Sequence, residues 1–110
     1  MNLDDGLLMR IFIGERDRHG DEPLHQWLVS EAHRQGLSGA TVLRGLEGYG
    51  AHGRLHTARV LRLSTDLPLV VEVVDTADKI EAFLPVVDEA LKQGLVTVEK
   101  ARMKFYREAD

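Results

Sequence analysis

Cysteine is absent from the 110 residues. That excludes disulfides, thiolate zinc sites, iron–sulfur clusters and a cysteine nucleophile, while fitting any redox compartment. Aromatic residues are scarce at 5%. Only Phe12 and Phe105 fall on segments that read as central strands, too few for the stacking platform on which a sheet face holds single-stranded RNA. Positive charge is not in excess either. Fourteen Lys and Arg stand against 18 Asp and Glu, a formal net charge of −4, so nothing draws the whole chain to nucleic acid or to an anionic membrane surface. No apolar run approaches the roughly 20 residues of a membrane span. The opening MNLDDGLLMRIFIGERD lacks the basic region and small-residue cleavage site of a secretion signal, so a cytoplasmic location is expected.

The motifs of familiar chemistries are missing as well. GLEGYGAHG, Gly45 to Gly53, is rich in glycine, yet it opens no helix and contains no GK[ST], so neither the Rossmann nor the P-loop mechanism applies. Asp17, His19 and Asp21 offer a general base and Ser38, Thr41 and Ser64 offer hydroxyls, but none sits in a nucleophile elbow; no catalytic residue is assigned. His52 and His56 are four apart, with Gly50 and Gly53 marking the segment as loop. No nearby carboxylate or cysteine completes the three or four ligands that zinc takes. No metal and no cofactor is expected, a metal held by His52 and His56 across subunits being the alternative, and His56 reads as a donor to a neighbouring backbone carbonyl.

What is present fits one folded domain over residues 1–110, with 44% hydrophobic and 29% charged residues. A chain of this length buries about 60 to 68% of its unfolded surface. Leu7 to Ile13 alternates as a strand, Met9, Ile11 and Ile13 on one side and Leu8, Arg10 and Phe12 on the other, and should end at Gly14. Asp21 is placed to cap a helix whose first turn holds Glu22 and Pro23. Leu24, Trp27, Leu28 and Ala32 form its apolar face and Gly36 is a left-handed stop. Ala40 to Tyr49 reads as a strand interrupted by Gly45 and Gly48, the first suggesting a bulge or a close backbone contact. Residues 50 to 56 make a loop, Thr57 to Leu63 a short strand and Ser64 to Asp66 a turn. Leu69 to Val74 is a nearly continuous apolar strand of the middle of a sheet, with Pro68 at its start. Ile80, Phe83, Leu84, Val87 and Leu91 form the stripe of a second helix, with Asp78 and Glu81 spaced as a capping box. Pro85 inside it predicts a kink or a restart, and Gly94 ends it. The last strand, Leu95 to Tyr106, changes phase between Val96 and Val98 and then Ala101, Met103 and Phe105, which predicts a bulge near Glu99 or Lys100.

Setting aside the short extra strand, this order is that of an α+β, ferredoxin-like split βαβ domain: a four-stranded antiparallel sheet with two helices on one face. The other face is left without a cover, and apolar residues on both sides of Leu7 to Ile13 and Leu69 to Val74 make self-association its simplest solution. Charge is also segregated. Arg54 to Arg62 holds three arginines, Arg54, Arg59 and Arg62, and no carboxylate. Asp75 to Glu89 holds five acids against Lys79 alone.

GLSGATVLRGLEGYG, Gly36 to Gly50, followed by HTARVLRLSTDLPLVVEVVD, His56 to Asp75, resembles the DUF190 family of the PII-like group. The IFIGE opening, Ile11 to Glu15, and FLPVVDE, Phe83 to Glu89, extend the likeness from about Gly6 to Tyr106. The resemblance implies a homotrimer with sheets facing inward and ligand clefts between subunits. It also implies a link to a membrane transporter, since some members neighbour genes for fluoride-exporter-type proteins. Thr41, Val42, Gly48, Tyr49 and Gly50 match the end of the strand that opens the nucleotide-side loop of PII proteins. The loop body, His52 to His56, is far shorter and has no counterpart of the tyrosine that PII proteins modify, which argues against uridylylation. Leu69 stands where PII proteins have a phosphate-binding lysine, and Gly94 to Lys100 carries one glycine in place of their glycine-rich phosphate loop. Arg44, Arg54, Arg59, Arg62, Lys100 and Arg102 are left to supply positive charge, provided that a trimer gathers them into one cleft.

The expected function is that of a non-enzymatic regulatory protein binding a small anion, an adenine nucleotide foremost, through Arg44, Gly48, Tyr49, Gly50, Arg54, Arg59 and Arg62. Two alternatives stand beside it: a structural or transporter-binding subunit with no ligand, and an enzyme whose site forms only between subunits.

Overall fold

The alternation over Leu7 to Ile13 becomes the longest strand of a mixed α and β structure. The computed structural model describes residues 2–49, 56–57 and 66–108, with only the backbone described at 56 and 57. In chain order the elements are β1 (Asp4–Gly14), β2 (Arg18–His19), β3 (Glu22–Pro23), α1 (Leu24–Arg34), β4 (Ala40–Arg44), β5 (Glu47–Gly48), β6 (His56–Thr57), β7 (Pro68–Asp75), α2 (Ala77–Ala90) and β8 (Leu95–Met103). Four strands form one sheet in the order β4-β7-β1-β8, antiparallel throughout. The fold is ferredoxin-like, as expected, and the apolar β7 lies in the middle of the sheet with β1.

Period-two alternation sorts the two sheet faces. Met9, Ile11 and Ile13 of β1 and Leu69, Val71 and Val73 of β7 are buried against the helices. There they meet Leu24, Leu28 and Ala32 of α1 and Ile80, Phe83 and Val87 of α2. Leu84 and Leu91 are only half-buried at the margin of this core, so the stripe is narrower than its spacing suggests.

The opposite face is banded. Leu43, Val70, Phe12 and Leu95 lie in one cross-strand row, and Thr41, Glu72, Arg10 and Thr97 in the next. Arg10 Nε donates to Glu72 Oε2 at 2.9 Å, and the same guanidinium bonds Glu99. These contacts, led by the Glu72 hydrogen bond, raise the Arg10 pKa above its ordinary value. Leu43 and Leu95 are 49% and 57% exposed, the two ends of an apolar row with no cover among the described residues.

Several local expectations need correction. β8 keeps an unbroken register with β1 from Leu95 to Met103, so there is no bulge at Glu99 or Lys100. Val96 and Val98 share the helix-side face of their partners Ile11 and Met9, while Ala101 and Met103 share the open face with Gly6 and Asp4. The phase change records two apolar faces on one regular strand. Neither capping expectation holds. α1 begins after Pro23 and α2 after Thr76, with no side-chain cap bond at either. At α1, Leu24 N donates instead to the Asp17 carbonyl at 2.8 Å. Pro85 does not restart α2, which is continuous from Ala77 to Ala90. It sits on the exposed side, where the Glu81 carbonyl that loses its donor can bond water. Gly36 does stop α1: its φ is 82°, and Leu37 N reaches back to Ala32 O at 3.0 Å, a Schellman-type closure.

Candidate functional site

Interest centres on where the chain leaves the sheet after β4 and returns to it at β7. The strand expected over Ala40 to Tyr49 is two pieces, and the break at Gly45 is a close backbone contact. Gly45 N donates to Pro68 O at 2.7 Å. A Cβ at Gly45 would stand 2.7 Å from Pro68 Cγ, closer than real Cβ contacts occur, so only glycine lets the two ends meet. Beyond it β5 pairs with β6, Glu47 opposite Thr57 and Gly48 opposite His56. The loop therefore rises from the sheet on a short two-stranded stem.

Of the residues singled out from the sequence, Arg44 ends β4 opposite Leu69, with its side chain 58% exposed. Gly48 lies in the stem and Tyr49, 72% exposed, follows it. Gly50, Arg54, Arg59 and Arg62 lie outside the described residues, as does His52 and most of the strand expected over Thr57 to Leu63. Arg44 and the stem are thus brought together.

Lys100 and Arg102 are on β8, at the far edge of the sheet from β4. Three strand spacings separate these edges by about 14 Å, so one chain does not join them to Arg44. Among the described residues, no group of three or more His, Asp or Glu could hold a metal ion.

The residue that sequence reasoning passed over is Glu15. It belongs to the IFIGE segment, but a lone carboxylate after a strand gives no signal of its own. Its Oε2 accepts from Arg44 Nη2 at 2.6 Å, while Oε1 is buried without a hydrogen-bond partner among the described residues. Around it the backbone is held firmly. Glu15 N donates to Leu67 O at 2.9 Å, Arg16 N to Asp66 Oδ1 at 2.9 Å and Gly14 N to Asp17 Oδ2 at 3.0 Å.

A separate groove of about 370 Å3 lies toward the other end of the open face. It is lined by Ser38, Thr41, Glu72 and Val74 with Leu8 and Phe105. Next to it Asp75, 2% exposed, accepts from Ser38 N at 2.8 Å and Thr76 N at 2.7 Å. Burial alone would raise its pKa. The bonds from Thr76 and Ser38, with the charge of Lys79, outweigh that and hold it below the ordinary aspartate value. This carboxylate ties the segment before β4 to the entry of α2.

Residues 6–103 match the model of the DUF190 family, described as Uncharacterized ACR. The UPF0166 protein of Aquifex aeolicus (strain VF5) is 36% identical over 98 residues, covering 89% of this chain and 92% of its own. Among solved structures, a chain of Thermus thermophilus described as PII-like aligns with a TM-score of 0.68 at 19% identity, over 94% of this chain and 93% of that one. CPII, a nitrogen regulatory PII-like protein of Thiomonas intermedia K12 bound to ADP, AMP and bicarbonate, aligns with a TM-score of 0.63 at 17% identity, over 93% of this chain and 91% of its own. At such identities the likeness carries the fold. No helix among the described residues is long and apolar enough to cross a membrane.

Proposed function

The chain belongs to the DUF190 family, and on that premise we propose that it is a non-catalytic, PII-like regulatory protein. It assembles as a homotrimer through the open sheet face and binds a small anion, an adenine nucleotide foremost, in the clefts between subunits. The observation that carries this reading is Arg44, an exposed guanidinium at the foot of a stem-borne loop. A guanidinium there offers charge-assisted, bidentate contacts to a phosphate. Support for nucleotide comes from CPII, which shares the fold and is bound to ADP and AMP. Support for assembly comes from the row of Leu43, Val70, Phe12 and Leu95, exposed at Leu43 and Leu95, an apolar surface of the kind that marks an interface.

Light scattering after size exclusion should give about three times the 12.3 kDa chain mass; a stable monomer at micromolar concentration refutes the assembly. Calorimetric titration with ADP, AMP and ATP should give saturable binding without turnover. Arg44→Ala should weaken it far more than Arg18→Ala, since Arg18 bonds the Asp21 carbonyl in the β2–β3 hairpin. One observation favours a second reading, a partner-binding subunit with no ligand that contacts a membrane transporter: Arg44 already has an anionic partner in Glu15. Absence of heat with every nucleotide, together with retention of a transporter on the immobilised protein, would decide for it.

A further inference from the structure

The Glu15–Arg44 pair joins two segments whose backbones are otherwise fixed. Glu15 follows β1, and three amides around it are anchored, to Leu67 O, Asp66 Oδ1 and Asp17 Oδ2. Leu67 and Asp66 are the return of the chain toward β7, and Arg44 is its departure from β4. Glu15 therefore touches both feet of the loop, one through its backbone and one through its carboxylate.

The pair is also incomplete. A carboxylate accepts through both oxygens, and leaving a buried acceptor unpaired is unfavourable; here Oε1 is buried with no partner among the described residues. The Arg44 end is the opposite case, more than half exposed, with donors to spare for an incoming anion. The geometry is that of an internal anion holding a ligand-binding cation by one oxygen, with the cation facing solvent.

We infer that Glu15 is the built-in competitor of the ligand for Arg44: an arriving phosphate takes the guanidinium from the Glu15 carboxylate, and the exchange frees the foot of the loop from its tie to β1. Glu15 thus sets the affinity threshold and restricts the site to ligands anionic enough to displace a carboxylate. The inference rests on the proposed anion-binding role of Arg44 and adds a residue to it. Glu15 acts through Arg44 and need not touch the ligand.

The test is a double-mutant cycle read by calorimetry with ADP, inorganic pyrophosphate and uncharged adenosine as probes. Glu15→Gln keeps the size and the backbone anchors while removing the charge. It should tighten ADP and pyrophosphate by about two- to fivefold, the range of a partly exposed ion pair. It should leave adenosine unchanged, and its effect should vanish in an Arg44→Ala background. Glu15→Ala, with its melting temperature measured alongside, should act in the same direction.

Weaker or unchanged pyrophosphate binding by both Glu15 variants, where Arg44→Ala does weaken it, overturns the competitor role and leaves the anion site standing. Nucleotide binding indifferent to Arg44→Ala overturns the competitor role and the assignment of Arg44 together. Failure of both wild type and Glu15→Gln to bind any anionic probe overturns this inference and the proposed function with it.

Discussion

Replacing Asp75 by asparagine isolates what one buried carboxylate does for the fold. Asp75 ends β7 at 2% exposure and accepts two backbone N–H groups, from Thr76 at the entry of α2 and from Ser38 before β4. Asparagine keeps the size and one acceptor oxygen, but turns an NH2 group against one of these donors. A hydrogen bond to a charged group contributes about 1.5–3 kcal/mol. Ser38 and Thr76 are exposed residues, so water recovers part of the loss, and the expected destabilisation is about 1.5–3 kcal/mol for the pair. Urea denaturation at a fixed protomer concentration measures it, the concentration held because assembly would otherwise enter the result. The sign of the pH dependence follows from the depressed pKa. A carboxyl group whose folded value lies below its unfolded value stabilises fully above the unfolded value, about 3.9, and loses that contribution as pH falls through the folded value. The gap between wild type and Asp75→Asn should therefore be constant from about pH 5 to 8 and narrow below about pH 4. A neutral-pH gap under about 0.5 kcal/mol, or one that widens on acidification, refutes the reasoning.

Other consequences are as direct. Phe83→Ala, at a fully buried position, should cost about 3–5 kcal/mol, while Leu84→Ala at the core margin should cost about 1–2 kcal/mol; equal losses in thermal melts would mean that the orientation of α2 is wrong. Gly45→Ala drives a Cβ to 2.7 Å from Pro68 Cγ and should destabilise by about 1–3 kcal/mol, with a matching loss of nucleotide affinity. An unchanged melting temperature would show that the loop foot is not a close contact. Arg10→Ala leaves Glu72 and Glu99 without their shared cation in the middle of the face proposed to be covered. Light scattering should then find smaller species at concentrations where the wild type is intact, and an unaltered mass argues against that face.

The sheet and its helices were legible because period-two and period-3.6 patterns report burial directly. Met9, Ile11 and Ile13, and Phe83 and Val87, were read correctly from spacing alone, and Pro68 from its missing donor. The errors have separate causes. Asp21 and Asp78 have good capping chemistry, but the helices start beside them because Asp17 O and the Asp75 carboxylate receive the local N–H groups. The apparent bulge in β8 came from reading one strand as if it had a single apolar face. At the candidate site, the glycines marked the base of a loop, and Arg44 was singled out only as a cation within the strand before it. Glu15 was not, because its meaning lies in a contact across 29 residues that no periodicity encodes.

The strand order makes a prediction about where the anion site is completed. Arg44 lies on one edge of the sheet and Lys100 and Arg102 on the other. A cleft using both must take them from different chains, as a head-to-tail ring does when each subunit offers one edge to its neighbour. Arg44→Ala chains and Lys100→Ala, Arg102→Ala double-mutant chains should each bind ADP poorly when assembled alone. Unfolded together in equal amounts and refolded, random mixing gives about one cleft in four an intact Arg44 from one chain and an intact Lys100 and Arg102 from the next. Those clefts should titrate with wild-type affinity, at about a quarter of the wild-type stoichiometry. A mixture that binds no better than the average of its parents would show that the cations do not share a cleft between subunits, whatever the oligomer proves to be.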